Sequence, residues 1–276
     1  MLVKVLEPVE TEVEEGRFAL LGPSGSGKTL ALRSLYAVFG ALTNSPPQHA
    51  LVSVFVEELK SRSSEKPCKK DLCTECSFEV PLEAVKVAAE EAWSSLLSKL
   101  GMPSLRASVD GEPLSFDPSA LCKDFKVYTG PNSFLEVKCD GKKLAGRWRW
   151  CPNEEIPYPY DRLAAELFPA KEDLAVYLPP GRGYLGTKEE CKDLLEIQVC
   201  KGIKGSELEV ERKVLEWALT EGDYVFVEGV YSDEEYLKTL EELLEGAKSK
   251  LVIIETRDEG VAERLGLERL EFNVPS

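Results

Sequence analysis

Between Arg17 and Leu35 the chain reads RFALLGPSGSGKTLALRSL: an apolar run, a stretch of glycine and serine, then residues at helical spacing. Few segments constrain a fold so tightly. Phe18 to Leu21 suit a buried strand, and glycines at 22, 25 and 27 give the backbone the freedom a sharp reversal needs. Lys28 to Val38 then predict a helix, with Gly40 as its stop. A buried strand feeding a helix through a tight loop requires sheet neighbours for the strand and a second layer to cover it. With 276 residues there is length for one large domain carrying an insertion.

The remainder falls into two textures. LVKVLE at the start reads as a strand, and the β-branched run Leu51 to Val56, after Pro46-Pro47, as another. From Ser61 the pattern turns polar, irregular and cysteine-bearing. Pro81 then opens a helix with Val85, Ala88, Ala92, Trp93, Leu96 and Leu100 at helical spacing. VDGE and CDGK are two Asp-Gly hairpin turns. Residues 61–170 therefore read as an inserted α+β lobe within a single domain spanning 1–276. The last hundred residues alternate helix and strand: SELEVERKVLEWAL, DYVFVE, Asp233 to Leu244, KLVIIET, a short helix and LERLEF. Apolar strands alternating with helices predict an α/β fold, a mostly parallel sheet with helices on both faces.

Composition narrows the class. The chain is 43% hydrophobic and 30% charged, and its longest apolar runs, YVFV and LVII, are strand-sized rather than membrane-spanning. The acidic first sixteen residues contain no apolar signal-peptide core, so the expected location is the cytoplasm, with no membrane partner. A net charge of -15 repels phosphate backbones and disfavours nucleic acid as a partner, although KPCKKD and GKKLAGRWRW are locally basic. Two Gln, four Asn, two Met and one His against abundant Glu form a hyperthermophile bias, in which intracellular disulfides are common. That bears on the eight cysteines. Cys68-x4-Cys73-x2-Cys76 offers three zinc ligands, with Cys122, Cys139 or Cys151 as a fourth. Disulfides and plain buried thiols are equally open readings of the same residues.

Gly22-Pro23-Ser24-Gly25-Ser26-Gly27-Lys28-Thr29 fits the Walker A pattern, between a strand and a helix. In that chemistry, loop amides and the helix N-terminus face phosphate oxygens, Lys28 reaches the β- and γ-phosphates, and the Thr29 hydroxyl serves Mg²⁺. Three later features join it. Ser206 stands at a helix start with Glu209 three residues on, a capping-box pattern that also suits a γ-phosphate. Glu228 ends the buried strand YVFVE at the sheet edge where ligands bind, placed to hold Mg²⁺ or to orient water. Thr256-Arg257-Asp258 follows another buried strand.

Taken in order, these features resemble an ABC/SMC-type P-loop ATPase head, in particular the stand-alone ABC-like AAA ATPases of prokaryotes. KGSE at Lys204 to Glu207 occupies the signature position, VIIETRD is similar to the switch segment, and LPPGRG is similar to a Pro-Arg segment. The resemblance implies an ABC-ATPase-like fold and a MgATP-dependent homodimer, with Ser206 of one copy capping the γ-phosphate held by Lys28 of the other, acting on an unnamed protein partner. Lys28, Glu228 and Arg257 would then be the catalytic set. Arg257 stands where that family has a histidine, no aromatic residue precedes the first strand, and Glu228 is followed by Gly229 instead of a second acid. Glu228 is thus either the metal-side or the hydrolytic acid, and slow ATP hydrolysis is expected. A non-hydrolysing ATP switch or scaffold and a P-loop kinase are the alternatives.

Overall fold

The computed structural model describes residues 1–179, 207–230 and 233–273. Along the chain run β1 (Val3–Glu7), β2 (Thr11–Val13), β3 (Gly16–Leu21), α1 (Lys28–Ala41), α2 (Pro46–Arg62), β4 (Ser64–Lys70), β5 (Thr74–Pro81) and α3 (Leu82–Lys99). Next come β6 (Arg106–Val109), β7 (Glu112–Pro113), β8 (Phe125–Tyr128), β9 (Phe134–Cys139), β10 (Lys143–Trp150), α4 (Pro159–Leu167) and β11 (Ala175–Leu178). The last stretch contains α5 (Glu207–Glu221), β12 (Tyr224–Val230), α6 (Glu234–Glu245), β13 (Leu251–Thr256), α7 (Glu259–Arg264) and β14 (Glu268–Glu271). No helix among the described residues is long and apolar enough to cross a membrane. The chain divides into two compact units: Met1–Gln48, Leu97–Leu114 and Lys171–Ser276 form one, His49–Leu96 and Ser115–Ala170 the other.

The first unit holds a parallel five-stranded sheet, ordered β11-β12-β13-β3-β14. β3, β11, β12 and β13 are nearly continuous apolar runs because both of their faces are covered, whereas the edge strand β14 (ERLE) is largely exposed. On one face Tyr36 and Phe39 of α1 lie against Tyr177, Tyr224 and Phe226, with ring centroids 4.7–5.7 Å apart. On the other, Val176, Val225, Val252 and Ile254 meet Leu215, Ala218 and Leu219 of α5 and Leu237, Leu240 and Leu244 of α6. At the N-terminal strand ends, Lys250 Nζ pairs with Asp173 at 2.7 Å and Asp223 at 3.2 Å, and those bonds push its pKa up. The unit also holds an antiparallel sheet, β2-β1-β6-β7, whose β6–β7 turn is Asp110-Gly111, both at positive φ.

The second unit is built on an antiparallel sheet, β4-β5-β10-β9-β8. Phe78, Val80, Leu135, Val137 and Leu144 are buried on one face, with Tyr160 5.5 Å from Phe78. Phe55, Phe116, Trp93 and Phe168 form a further aromatic cluster. Disulfides join Cys68 to Cys76, Cys73 to Cys151 and Cys122 to Cys139.

Three expectations are corrected here. The ABC-ATPase-like, mostly parallel sheet is not what forms: nine of the fourteen strands among the described residues lie in two antiparallel sheets, giving a mixed α/β fold with one parallel sheet. Short reversals at Pro8–Glu10, Asp110-Gly111 and Asp140-Gly141 can join only antiparallel neighbours. Leu51 to Val56 is helical, within α2, because Leu51, Phe55 and Leu59 recur every four residues and are fully buried while Ser53 is exposed. The zinc expectation for Cys68, Cys73 and Cys76 gives way as well. Each sulfur is bonded to another cysteine, and no three His, Cys, Asp or Glu side chains converge as a metal set among the described residues. The irregular stretch after Ser61 is in fact the β4–β5 hairpin.

Gly146 on β10 faces Phe78 so closely that an added Cβ would lie 1.9 Å from the ring. The ring cannot retreat, since Phe78 is 1% exposed with Tyr160 behind it. Gly146→Ala is expected to destabilise the second unit by about 1–3 kcal/mol, typical of an overpacked core. Thermal unfolding should shift down by several degrees, roughly 2–4 °C for each kcal/mol in a chain of this size.

Candidate functional site

The C-terminal ends of the parallel strands bring one glycine loop and two carboxylates together, the edge where α/β sheets bind ligands. β3 ends at Leu21, and its carbonyl accepts a 2.7 Å bond from the Phe272 amide. Gly22 follows with φ 150, and a Cβ there would sit 2.2 Å from the Phe272 carbonyl oxygen and 2.9 Å from Ser26 Oγ. Only glycine passes this point without displacing backbone. Gly25 and Gly27, at φ 79 and 92, carry the loop into α1. Among Ser24 to Gly27 the one amide bonded to a backbone oxygen of the described residues is that of Ser26, to Pro23 at 3.3 Å. α1 starts with no side-chain cap and no acid of its own in its first turn, so its free amides face the loop.

Lys28 is 4% exposed. Its ammonium donates to the carbonyls of Gly22 at 2.6 Å and Pro23 at 2.8 Å, and to Ser26 Oγ at 3.5 Å. Burial lowers its pKa, Glu255 opposes that, and Arg257 adds to it. Thr29 Oγ1 lies 2.9 and 3.0 Å from the two oxygens of Glu255, to which it donates. Glu255 lies on β13, in register with Leu20 of the loop-bearing strand. Desolvation raises its carboxyl above the ordinary range, against the Thr29 bond, and the nearby negative charge of Glu228 raises it further.

Glu228 sits where β12 loses register with β13, between Val227 and Val230, beside Gly229 at φ 72. Its side chain is only 10% exposed and already engaged. Arg33, one turn beyond Thr29 on α1, lies 3.2 Å away, and the buried Tyr177 hydroxyl donates to the same oxygen. Desolvation and the Glu228 charge push the Tyr177 phenol up, keeping it protonated as a donor. Arg257 is exposed just past β13, within electrostatic reach of Lys28 and Glu255.

The structure thus gathers Gly22 to Thr29, Glu228 and Arg257 at one edge, and puts Glu255 rather than Glu228 against Thr29. Glu255 was missed although it carries the same signal as Glu228, a carboxylate ending an apolar strand, here VIIE. Arg33 and Tyr177 had no local signal. Ser206, with the signature-like stretch from Lys204, lies outside the described residues. Against Gly25 to Gly27 opens a cavity of about 560 Å³, bounded by Val9, Thr11 and Glu10 on one side and Leu270 and Phe272 on the other. Compared with known proteins, the chain matches no family model, no curated protein and no solved structure.

A half-buried carboxylate whose charged form is partly desolvated is a stability cost. Its raised pKa means the fold disfavours the charged form. The penalty is absent below the unfolded value of 4.5 and complete above the folded one. Glu255→Gln, which keeps an acceptor for Thr29, should therefore raise the melting temperature of the ligand-free protein by a few degrees, on the order of 1 kcal/mol. The gain should be larger at neutral pH than near pH 4, read by thermal melts of both proteins across that range.

Proposed function

We propose that the chain is a Mg²⁺-dependent ATP-binding protein that hydrolyses ATP slowly. The observation carrying this reading is the buried Lys28 ammonium held on loop carbonyls, next to a threonine hydroxyl paired with a strand-end carboxylate. Such a site fits the group. Hard oxygen donors stand where a cation would be held, and a strong cation donor and a helix N-terminus stand where phosphates would lie. The adjoining cavity has the volume of a small-molecule pocket and would take the nucleoside.

Bound MgATP would supply the electrophilic phosphorus and the metal charge that offsets the leaving phosphate. Lys28 would exchange the Gly22 and Pro23 carbonyls for phosphate oxygens. Thr29 and Glu255 would hold the cation, the threonine through the lone pairs left free when its proton is given to Glu255. Glu228 would accept a hydrogen bond from the attacking water, its charge held in place by Arg33 and its orientation by the Tyr177 hydroxyl. Arg257, permanently charged, would face the terminal phosphate. Two copies closing on the nucleotide remain the mode of action that the sequence resemblance implies.

A second reading has its own support. Both Glu228 oxygens lie within 3.5 Å of Arg33, and Tyr177 donates to one of them, so a site that binds ATP and only switches partners is favoured if that carboxylate never frees itself.

Steady-state phosphate release and light-scattering mass, measured with MgATP, separate these readings. Wild type should turn over, and Glu228→Gln should lose about 100-fold or more of the rate, as expected for removing a general base, and persist as a dimer. Lys28→Ala should bind ATP at least tenfold more weakly, a loss of about 1.4 kcal/mol. If wild type binds ATP but releases no phosphate above background, the hydrolytic reading fails and the switch stands.

A further inference from the structure

The sheet of the second unit has a second face that the nucleotide chemistry does not use. Residues opposite one another in register share a face, so the pairings assign each side chain. Cys76, Phe78, Val80, Leu135, Val137, Leu144 and Trp148 fall on the apolar side. The open side carries Lys66, Lys69, Lys126, Lys138, Lys143, Arg147 and Arg149, against Glu75, Glu79 and Glu136. Seven basic residues to three acidic is the reverse of a chain whose net charge is -15. The basic stretch GKKLAGRWRW owes its effect to this arrangement. Strand alternation sends Arg147 and Arg149 to the open face and Trp148 to the other.

All three carboxylates are engaged. Glu79 lies 2.7 Å from Lys143 and 3.6 Å from Lys66, Glu136 lies 3.2 Å from Arg147 and 3.7 Å from Lys138, and Glu75 lies 3.6 Å from Arg147. Among the described residues no acid pairs with Lys69, Lys126 or Arg149, so cationic charge is left over. Two aromatic rings stand on the same side. Tyr128 is 63% exposed, and Lys126 Nζ lies 5.1 Å from its centroid and 4.2 Å from that of Phe134, with Arg147 5.2 Å from Phe134. Small residues, Ser77 and Ala145, leave a depression of about 380 Å³ at the centre, edged by Glu79, Glu136, Lys138 and Arg147.

From this placement we infer that the open face of the β4-β5-β10-β9-β8 sheet binds single-stranded nucleic acid, with Lys126, Lys138, Arg147 and Arg149 on phosphates and Tyr128 stacking a base. Cations alone would serve any acidic surface. The exposed ring beside Lys126 adds what an unstacked base uses, since every base offers a π-face and stacking is tolerant of sequence. The inference is independent of the nucleotide reading and concerns a different sheet.

The test is fluorescence anisotropy on the whole, disulfide-bonded protein with labelled oligo(dT) of about 20 nucleotides, a duplex of equal length and poly-glutamate. The oligo(dT) should bind, and the four phosphate contacts should weaken it by about 50-fold between about 50 and about 200 mM salt. Tyr128→Ala should weaken oligo(dT) by about fivefold or more and leave poly-glutamate unchanged. The double variant Lys126→Glu/Arg147→Glu should abolish oligo(dT) binding, and Lys138→Glu repeats the reading at a second exposed position should the double variant not fold. No oligo(dT) binding at the lower salt overturns the inference, as does oligo(dT) affinity unchanged in the charge variants. Poly-glutamate binding as tightly as oligo(dT), with Tyr128→Ala without effect, also overturns it and assigns the face to an acidic protein. Duplex binding tighter than oligo(dT) removes the single-strand assignment.

Discussion

The Thr29–Glu255 hydrogen bond is the contact on which the site depends. It ties the first turn of α1 to the tip of β13, neighbour of the strand that feeds the glycine loop. Loop, helix start and carboxylate are thereby joined at one sheet edge. The contact also sets the charge balance. The carboxylate is partly stripped of water, compensated by one hydroxyl and faced by the Lys28 ammonium, a poise that a cation would complete.

Two acids lie near each other at this edge, in different environments. Glu255 has a neutral partner and a raised carboxyl, whereas Glu228 is matched by the Arg33 guanidinium and held by a phenol. A guanidinium on the helix that follows the glycine loop gives a direct mechanical link. Any shift of α1 on ligand binding moves Arg33 and Thr29 together, and with them the partners of both carboxylates.

What was legible in the sequence followed from periodicity and from glycine. The loop from Gly22 to Thr29 and the strands β12 and β13 stand where their pattern puts them, because a two-sided buried strand has an unmistakable apolar run. Glu228 is legible by the same rule, and Glu255 carries the same signal immediately before Thr256-Arg257-Asp258. Arg33 and Tyr177 could not be read, since their roles come from a helix crossing a sheet, and α2 was misread because β-branched residues outweighed a four-residue repeat. The overall sheet arrangement was over-extended from the last hundred residues to the whole chain. The open face of the second sheet was half visible: the basic run was seen, but which side its charges share depends on register, which no single strand contains.

The central claim is that the glycine loop and the Thr29–Glu255 pair form one metal-assisted phosphate site. Calorimetric titration of ATP into the wild-type protein, once with Mg²⁺ and once with chelator, tests it directly. The account predicts saturable binding that is at least tenfold tighter with Mg²⁺, a coupling of about 1.4 kcal/mol or more. Binding of equal strength with and without the cation, or no binding in either case, would contradict it.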